Sequence, residues 1–255
     1  MNLRLDISIA EKYHSSSQIA RVVTESWVGD NAYCPSCGNE KLNNFENNSP
    51  VADFYCHKCH AEYELKSKKD SFAEKIINGA FSTMLKRINS ENNPNFFFLN
   101  YSNRDLIVKN FLAIPKYYFV NDIIERRKPL GINARRSGWI GCNILLKNIP
   151  ESGKIFFIQD YKINSKTEVL KNWTRTAFLA KQKKESRGWT IEVMRLIDKI
   201  QNKSFSLNEV YYFENELKQK FPNNKFVKDK IRQQLQVLRD RDLIEFKGMG
   251  QYLKR

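Results

Sequence analysis

Apolar residues recur along this chain at two spacings, one typical of helices and the other of buried strands. Two segments of the first half show the helical spacing: Ile19, Val22, Val23 and Trp27 after the Ser15–Ser17 cluster, and Ile76, Ala80, Met84 and Ile88 within Ser71–Ser90. Strand-sized apolar segments are Asn95–Asn100 (a continuous run, as in a buried central strand), Ile107–Ile114 and Lys154–Gln159. Helices mixed with buried strands predict an α/β core.

The pattern changes after about Phe178. The segment AKQKKESRG is charged and short of large apolar residues, which is typical of a linker or a domain edge. Beyond it the predicted elements are helices at Thr190–Gln201, Ser206–Lys220 and Lys225–Arg241, followed by strands at Asp242–Phe246 and Gln251–Leu253. This order resembles a winged-helix domain, so the sequence predicts two domains, 1–182 and 183–255.

Composition and charge add a class of partner to this outline. The 255 residues include 43 Lys and Arg against 28 Asp and Glu, a formal net charge of +15. Such a cation favours polyanions, most commonly nucleic acid, although a generally basic surface in a lysine-rich chain is the alternative. No apolar run approaches the roughly 18 residues of a membrane span, and the N-terminus shows no uninterrupted apolar segment of a signal peptide. We therefore expect a cytoplasmic protein that binds nucleic acid.

Four of the five cysteines form two C-x-x-C pairs separated by eighteen residues. Two intervening residues let both thiolates of a pair face one cation while backbone N–H groups point at the sulfurs. Four thiolates predict a closed, tetrahedral and therefore structural zinc site with these ligands: Cys34, Cys37, Cys56 and Cys59. The alternative is two unrelated pairs. Cys142 lies in an apolar stretch and is expected to be a small buried side chain.

Asp53 and the run Glu64-Leu65-Lys66 lie on either side of the second cysteine pair. Residues i and i+2 of a strand share a face, so Glu64 and Lys66 are expected to point the same way. Asp53 reaches the same place if its segment pairs with theirs as an adjacent strand. Two carboxylates on Mg²⁺ with a lysine beside them can hydrolyse a phosphodiester, because the metal polarises the phosphate and the lysine holds or deprotonates the attacking water. Taken alone, this spacing also occurs as surface charge on a half-exposed strand.

The setting of this motif makes it specific. Pro50 precedes the aspartate by three residues, the cysteine pair lies within the intervening turn, and Leu65 supplies an apolar partner. The sequence resembles the PD-(D/E)xK nuclease superfamily and, within it, the DpnI-type methyl-directed restriction endonucleases. The likeness runs along essentially the whole chain, in the segments YCPSCGN, LNNFENNSPVADFYC, ELKSKK, NNPNFFFLNY, ARRSGWIGCNI, SRGWTIEV, KIRQQLQVLRD and IEFKGMGQY. One departure is that Val51 and Ala52 separate Pro50 from Asp53, so the "PD" is loose.

The resemblance implies an α/β PD-(D/E)xK nuclease core with an inserted four-cysteine zinc site, plus a C-terminal winged-helix domain. It also implies Mg²⁺ held by Asp53 and Glu64, Lys66 beside the nucleophile, and cleavage of double-stranded DNA at GATC sites that contain N6-methyladenine. A monomer without a small-molecule cofactor fits the resemblance. Glu25, on the first predicted helix, is an accessory candidate ligand outside this set, since glutamates on a helix face are usually solvated. The rival interpretation is a non-catalytic regulator that binds methylated DNA, and the complete catalytic set argues against it.

Two segments are candidate DNA contacts. In the last predicted helix an apolar stripe faces the core, and the other faces carry side chains suited to phosphates and base edges: Lys228, Arg232, Gln233 and Gln236. In the first domain, Arg135 and Arg136 suit phosphates, and Trp139 is a candidate wall of a pocket that detects the adenine methyl group by dispersion. The alternatives are a solvated basic helix face and a core tryptophan.

Overall fold

The computed structural model describes residues 1–45, 52–70, 74–90 and 93–255, in two compact units. The N-terminal unit comprises Met1–Asn148 and Gly153–Thr174, and the C-terminal unit comprises Ile149–Ser152 and Arg175–Arg255. The chain thus passes into the C-terminal unit before the predicted domain boundary at residue 182, which stays a prediction. No helix in the described ranges is long and apolar enough to span a bilayer.

The elements up to residue 176 are mostly strands, with helices at the start, in the middle and at the end. In chain order they are α1 (Ser16–Asn31), β1 (Asn43–Asn44), β2 (Phe54–Tyr55), β3 (Glu62–Lys69), β4 (Lys75–Ala80), α2 (Phe81–Ile88), β5 (Asn95–Ser102), β6 (Ile107–Ile114), β7 (Ile124–Arg126), β8 (Gly141–Leu145), β9 (Ile155–Gln159), β10 (Lys162–Ile163) and α3 (Lys166–Thr176). The predicted first helix and the three predicted strands are confirmed.

The larger sheet of the N-terminal unit carries the acidic motif. Among the described residues its strand order is β1-β2-β3-β5-β6-β9-β10. β3 and β5 run parallel, whereas β2 pairs with β3 antiparallel and aligns Phe54 with Tyr63. β5 is buried from Asn95 to Tyr101, as expected of a central strand covered on both faces.

Aromatic rings fill the core beneath α1. Trp27 of α1 meets Phe111 of β6 edge to face, with ring centroids 5.3 Å apart. Tyr63 of β3 stacks on Phe97 of β5 at 4.4 Å. Leu65 packs against the same cluster. Because strand side chains alternate, the residues on either side of Leu65 point to the opposite face, as the sequence predicted.

The helix predicted over Ser71–Ser90 is wrong in its first half. Residues 71–73 lie outside the described part, and Lys75–Ala80 form β4, which pairs antiparallel with β8 in a smaller sheet of order β4-β8-β7. Apolar residues four apart, counted from Ile76, fit a strand as well as a helix because four is two strand periods. Gly79 also disfavours a helix interior. The helix is confined to α2.

The C-terminal unit has the order of a winged helix. Its elements are α4 (Lys184–Lys199), β11 (Ser204–Ser206), α5 (Leu207–Tyr211), α6 (Glu214–Lys220), α7 (Val227–Arg239), β12 (Ile244–Gly248) and β13 (Gln251–Lys254), and the strands pair in the order β11-β13-β12. Ser206 and Glu209 form the predicted reciprocal cap.

Two predictions for this unit need correction. The helix predicted to begin at Thr190 begins at Lys184, so the second half of the charged segment predicted as a linker or a domain edge is helical, with its first turn solvated. The single helix predicted over Ser206–Lys220 is two helices, which are interrupted at Tyr212 and Phe213.

Candidate active site

The four cysteines converge into one cluster. Their Sγ atoms all lie within 4.8 Å of one another, with the Cys34 and Cys59 sulfurs 3.5 Å apart and the Cys37 and Cys56 sulfurs 3.6 Å apart. Four Zn–S bonds of about 2.3 Å in a tetrahedron place the sulfurs roughly 3.8 Å apart. The observed separations match that arrangement, so the cluster can hold zinc.

Tyr63 ties the cysteine cluster to β3. Its hydroxyl lies 3.2 Å from Cys34 Sγ in the buried interior. Burial first, and the charge of Cys34 second, raise the pKa of the Tyr63 phenol well above its ordinary value, so the hydroxyl remains a donor at neutral pH. Because Glu64 is the next residue, the strand that carries the acidic motif is anchored to the cluster.

Asp53 lies at a bend immediately before β2. Its backbone N–H donates to the Tyr63 carbonyl at 3.0 Å, and its carboxylate Oδ2 accepts the Leu65 N–H at 2.6 Å. These bonds fix the carboxylate against β3 between Glu64 and Lys66. The structure therefore brings the three predicted residues together, while Pro50 and Val51 lie outside the described residues.

The Glu64 carboxylate is bound by two cations. Lys66 Nζ lies 2.6 Å from Glu64 Oε1, and Arg87 Nη1 of α2 donates to Glu64 Oε2 at 2.9 Å. All three side chains are largely withdrawn from solvent, with exposures of 12% for Glu64, 24% for Lys66 and 21% for Arg87. Arg87 was missed by the sequence reasoning, since a basic residue in the last turn of a helix is usually solvated.

The carboxylates influence one another's ionisation. Burial raises the pKa of Asp53 and the charge of Glu64 adds to the rise, while the Leu65 N–H opposes it. Burial and then the charge of Asp53 raise the pKa of Glu25 on α1. Clustered carboxylates that disfavour one another's charge attract a divalent cation, and oxygen is the donor that Mg²⁺ prefers. Asp53 and Glu64 therefore have the chemistry of a divalent-cation site, and magnesium binding by them stays a prediction.

Trp139 precedes β8 and is partly exposed. A Cβ added to Gly141 would lie 2.8 Å from Trp139 Cζ3, so the indole ring rests on this glycine. Arg135 and Arg136 are exposed in the preceding turn, as contact with phosphate requires. Trp139 is not fully buried, and its role in methyl detection stays a prediction.

Cys142 lies on β8, where the charges of Lys66 and Glu64 act on its thiol. It is fully buried, as predicted, and its Sγ donates to the Gly79 carbonyl at 3.4 Å. Burial raises the pKa of this thiol, and the charges of Lys66 and Glu64 also act on it.

Helix α7 has the predicted division into faces. Its apolar stripe is buried, and the four candidate DNA contacts are all exposed: Lys228, Arg232, Gln233 and Gln236. The side-chain cations of Lys228 and Arg232 lie 5.3 and 5.7 Å from the ring centroid of Tyr211. A groove of about 330 Å³ lies between Arg232, Gln236 and the β12–β13 hairpin. Base and phosphate contacts by this face stay predictions.

Two family profiles match the chain. The profile of the DpnI family, described as the Dam-replacing family, matches residues 1–182, and that of the Dam-replacing HTH domain matches residues 185–254. The chain belongs to the DpnI family. Membership confirms the resemblance and agrees with a mixed α/β fold that has a large sheet, a four-cysteine cluster and a C-terminal HTH domain. DpnI family membership implies a DNA-binding, methyl-dependent, restriction-type nuclease.

Proposed function

We propose that this protein is a type II, methyl-directed restriction endonuclease that cleaves double-stranded DNA at GATC sites containing N6-methyladenine, by Mg²⁺-dependent hydrolysis. One observation supports the proposal above all. The Asp53 carboxylate is hydrogen-bonded to β3 beside Glu64 and Lys66, in a chain of the DpnI family. The GATC sequence and the methyl requirement rest on the family alone.

Asp53 and Glu64 would hold the magnesium ion, which when bound polarises a phosphodiester and makes water more acidic. Lys66 keeps one N–H on Glu64 and has further N–H groups with which to hold the attacking water. Its positive charge also offsets the negative charge that develops on the phosphate in the transition state. Water attacks phosphorus directly and the leaving oxygen departs, without a covalent enzyme intermediate.

The remaining parts have supporting roles. A closed shell of four thiolates leaves no position for substrate, so zinc would fix the turn between Asp53 and Glu64. Arg135 and Arg136 would bind phosphates, and the exposed face of α7 would enter the major groove. The net charge of +15 supports association with DNA. We further propose a cytoplasmic monomer without a small-molecule cofactor.

Purified protein incubated with Mg²⁺ and two plasmids, one adenine-methylated at GATC and one unmethylated, tests this function. A methylated plasmid whose GATC sites have been mutated and an Asp53→Ala variant serve as controls. We expect cutting only of the methylated GATC plasmid and only by the wild type. Binding to that plasmid without cutting would favour a non-catalytic regulator, and cutting that survives Asp53→Ala would place catalysis elsewhere.

A further inference from the structure

We infer that Arg87 is a further catalytic residue, which binds the scissile phosphate through one guanidinium nitrogen while the other positions Glu64. This inference deepens the proposed function and rests on it. Arg87 lies in the last turn of α2, on an element distinct from the strand that carries the acidic motif.

The two terminal nitrogens of Arg87 have different environments. Nη1 donates to Glu64 Oε2 at 2.9 Å, whereas Nη2 is buried and lacks a hydrogen-bond partner among the described residues. A guanidinium presents its donors in a planar fork, and a buried donor without a partner is unfavourable. Nη1 of Arg87 is hydrogen-bonded to Glu64, while the buried Nη2 has no hydrogen-bond partner among the described residues. This arrangement fits a guanidinium whose second partner is a ligand that arrives with the substrate.

The charge of the centre identifies that ligand as an anion. The negative charges of Asp53 and Glu64 are balanced by the positive charges of Lys66 and Arg87, both of which pair with Glu64. A divalent cation at the two carboxylates would leave the centre positive by two charges, and still positive if Glu25 is ionised. The phosphodiester is the anion that the proposed reaction supplies, and a guanidinium matches phosphate geometry better than an ammonium group does.

α2 offers a matched control for this residue. Its buried side is formed by Met84 and Ile88, whereas Lys86, the neighbour of Arg87, is exposed. Lys86→Gln removes the same charge from the same turn without touching the acidic centre. Arg87→Gln removes the charge, and Arg87→Lys keeps the charge and can keep the pair with Glu64 but loses the second arm of the fork.

Two measurements on the full chain test the inference. The first is the single-turnover cleavage rate of a methylated GATC duplex with Mg²⁺, for which we expect a loss of about 100-fold in Arg87→Gln, a smaller loss in Arg87→Lys and none in Lys86→Gln. The second is equilibrium binding with Ca²⁺ to that duplex and to one with a neutral methylphosphonate at the mapped scissile linkage. The wild type should bind the neutral duplex more weakly, and this difference in affinity should be clearly smaller in Arg87→Gln, in which the cation and Lys66 still favour the charged linkage.

The outcomes separate this inference from the proposed function. Wild-type protein that leaves methylated GATC DNA uncut would overturn both. Wild-type protein that cuts, together with Arg87→Gln that still distinguishes the two duplexes as the wild type does, would overturn the role of Arg87 alone. Should thermal unfolding show that Arg87→Gln does not fold, the same comparison on Arg87→Lys decides, since that variant retains the charge beside Glu64.

Discussion

The surroundings of Asp53 suit a carboxylate that binds a metal ion, and they lower the stability of the protein when no metal is bound. Its carboxylate accepts the Leu65 N–H, and burial together with the neighbouring Glu64 raises its pKa. Because the pKa of Asp53 is higher in the folded chain than in the unfolded chain, the folded chain binds more protons at pH values between these two pKa values. Stability therefore falls as pH rises through that interval, and at neutral pH the ionised carboxylate is destabilising.

Asp53→Asn should accordingly stabilise the protein when magnesium is absent and zinc is retained. The amide oxygen can still accept the Leu65 N–H, while the buried charge is removed. At pH 7 to 8 the Tm of the variant should exceed that of the wild type by about 2–4 °C for each kcal/mol by which the free energy of unfolding rises. This difference in Tm should narrow as the pH is lowered and Asp53 of the wild type becomes protonated. Thermal unfolding over a pH series checks this, and a lower Tm in the variant at neutral pH would contradict it.

Trp139 is the residue to test for methyl detection. One methyl group in an apolar pocket is worth about 1–3 kcal/mol of discrimination, so Trp139→Ala should reduce the preference for methylated over unmethylated DNA by about tenfold or more. Gly141→Ala should have a similar effect, because its Cβ would displace the indole ring. Cleavage rates on the two substrates measure the ratio. Cleavage by Trp139→Ala that stays confined to methylated DNA would contradict this role.

The positions of the acidic-centre residues could be predicted from the sequence to different degrees. The strand period placed Glu64 and Lys66 on one face, and the cysteine pair placed Asp53 within reach of them. Arg87 was not predictable, because its contact with Glu64 depends on how α2 packs in three dimensions rather than on any local spacing.

At the scale of elements, the cysteine cluster, β2 and β3 form one scaffold. Tyr63 contacts Cys34 through its hydroxyl and Asp53 through its carbonyl oxygen. The geometry of the acidic centre should therefore depend on zinc, although zinc itself takes no part in the reaction.

Removal of zinc should abolish magnesium-dependent cleavage. We expect chelated protein supplied with Mg²⁺ alone to remain inactive and to lose Ca²⁺ binding in calorimetry, with both restored by added zinc. Tyr63→Phe, which removes only the hydroxyl next to Cys34, should fold but release zinc faster. Normal cleavage by zinc-free protein once Mg²⁺ is restored would show that the two sites are independent.

Helix α7 carries two kinds of candidate DNA contact, which should respond differently to mutation. Gln236→Ala should relax sequence preference at one base pair, at a cost of about 1–3 kcal/mol, if its amide reads a base edge. Lys228→Ala should weaken binding to all sequences alike and lower the salt dependence by about one phosphate contact. Binding titrations with Ca²⁺ on GATC and altered duplexes over a salt series separate the two. Equal effects of both variants on sequence preference would contradict the assignment.

Local pattern predicted some elements and not others. α1 and β5 follow from apolar spacing, and the start of α5 follows from the cap formed by Ser206 and Glu209. β4 was mistaken for helix because its strand pairing with β8 lies far along the chain. The interruption between α5 and α6 has no glycine or proline to mark it, so it depends on tertiary packing.

For the molecule as a whole, charge and cysteine spacing pointed to a zinc-bearing, nucleic-acid-binding protein. Matches over residues 1–182 and 185–254 establish its family. The proposed methylated GATC target has no counterpart in composition or spacing, since a methyl group is recognised by the shape of a pocket assembled from residues distant in the sequence. The proposed magnesium-dependent chemistry, by contrast, rests on the positions of Asp53, Glu64 and Lys66.

The role of the acidic centre is tested most directly by the single-turnover cleavage rate of a methylated GATC duplex with saturating Mg²⁺. Wild type is compared with Asp53→Asn, and with Asp30→Asn as a control that removes the same charge from an exposed position on α1. We predict that Asp30→Asn cleaves like the wild type and that Asp53→Asn, although folded, is slower by about 1000-fold. Cleavage by Asp53→Asn within tenfold of the wild-type rate would contradict the assignment of this centre.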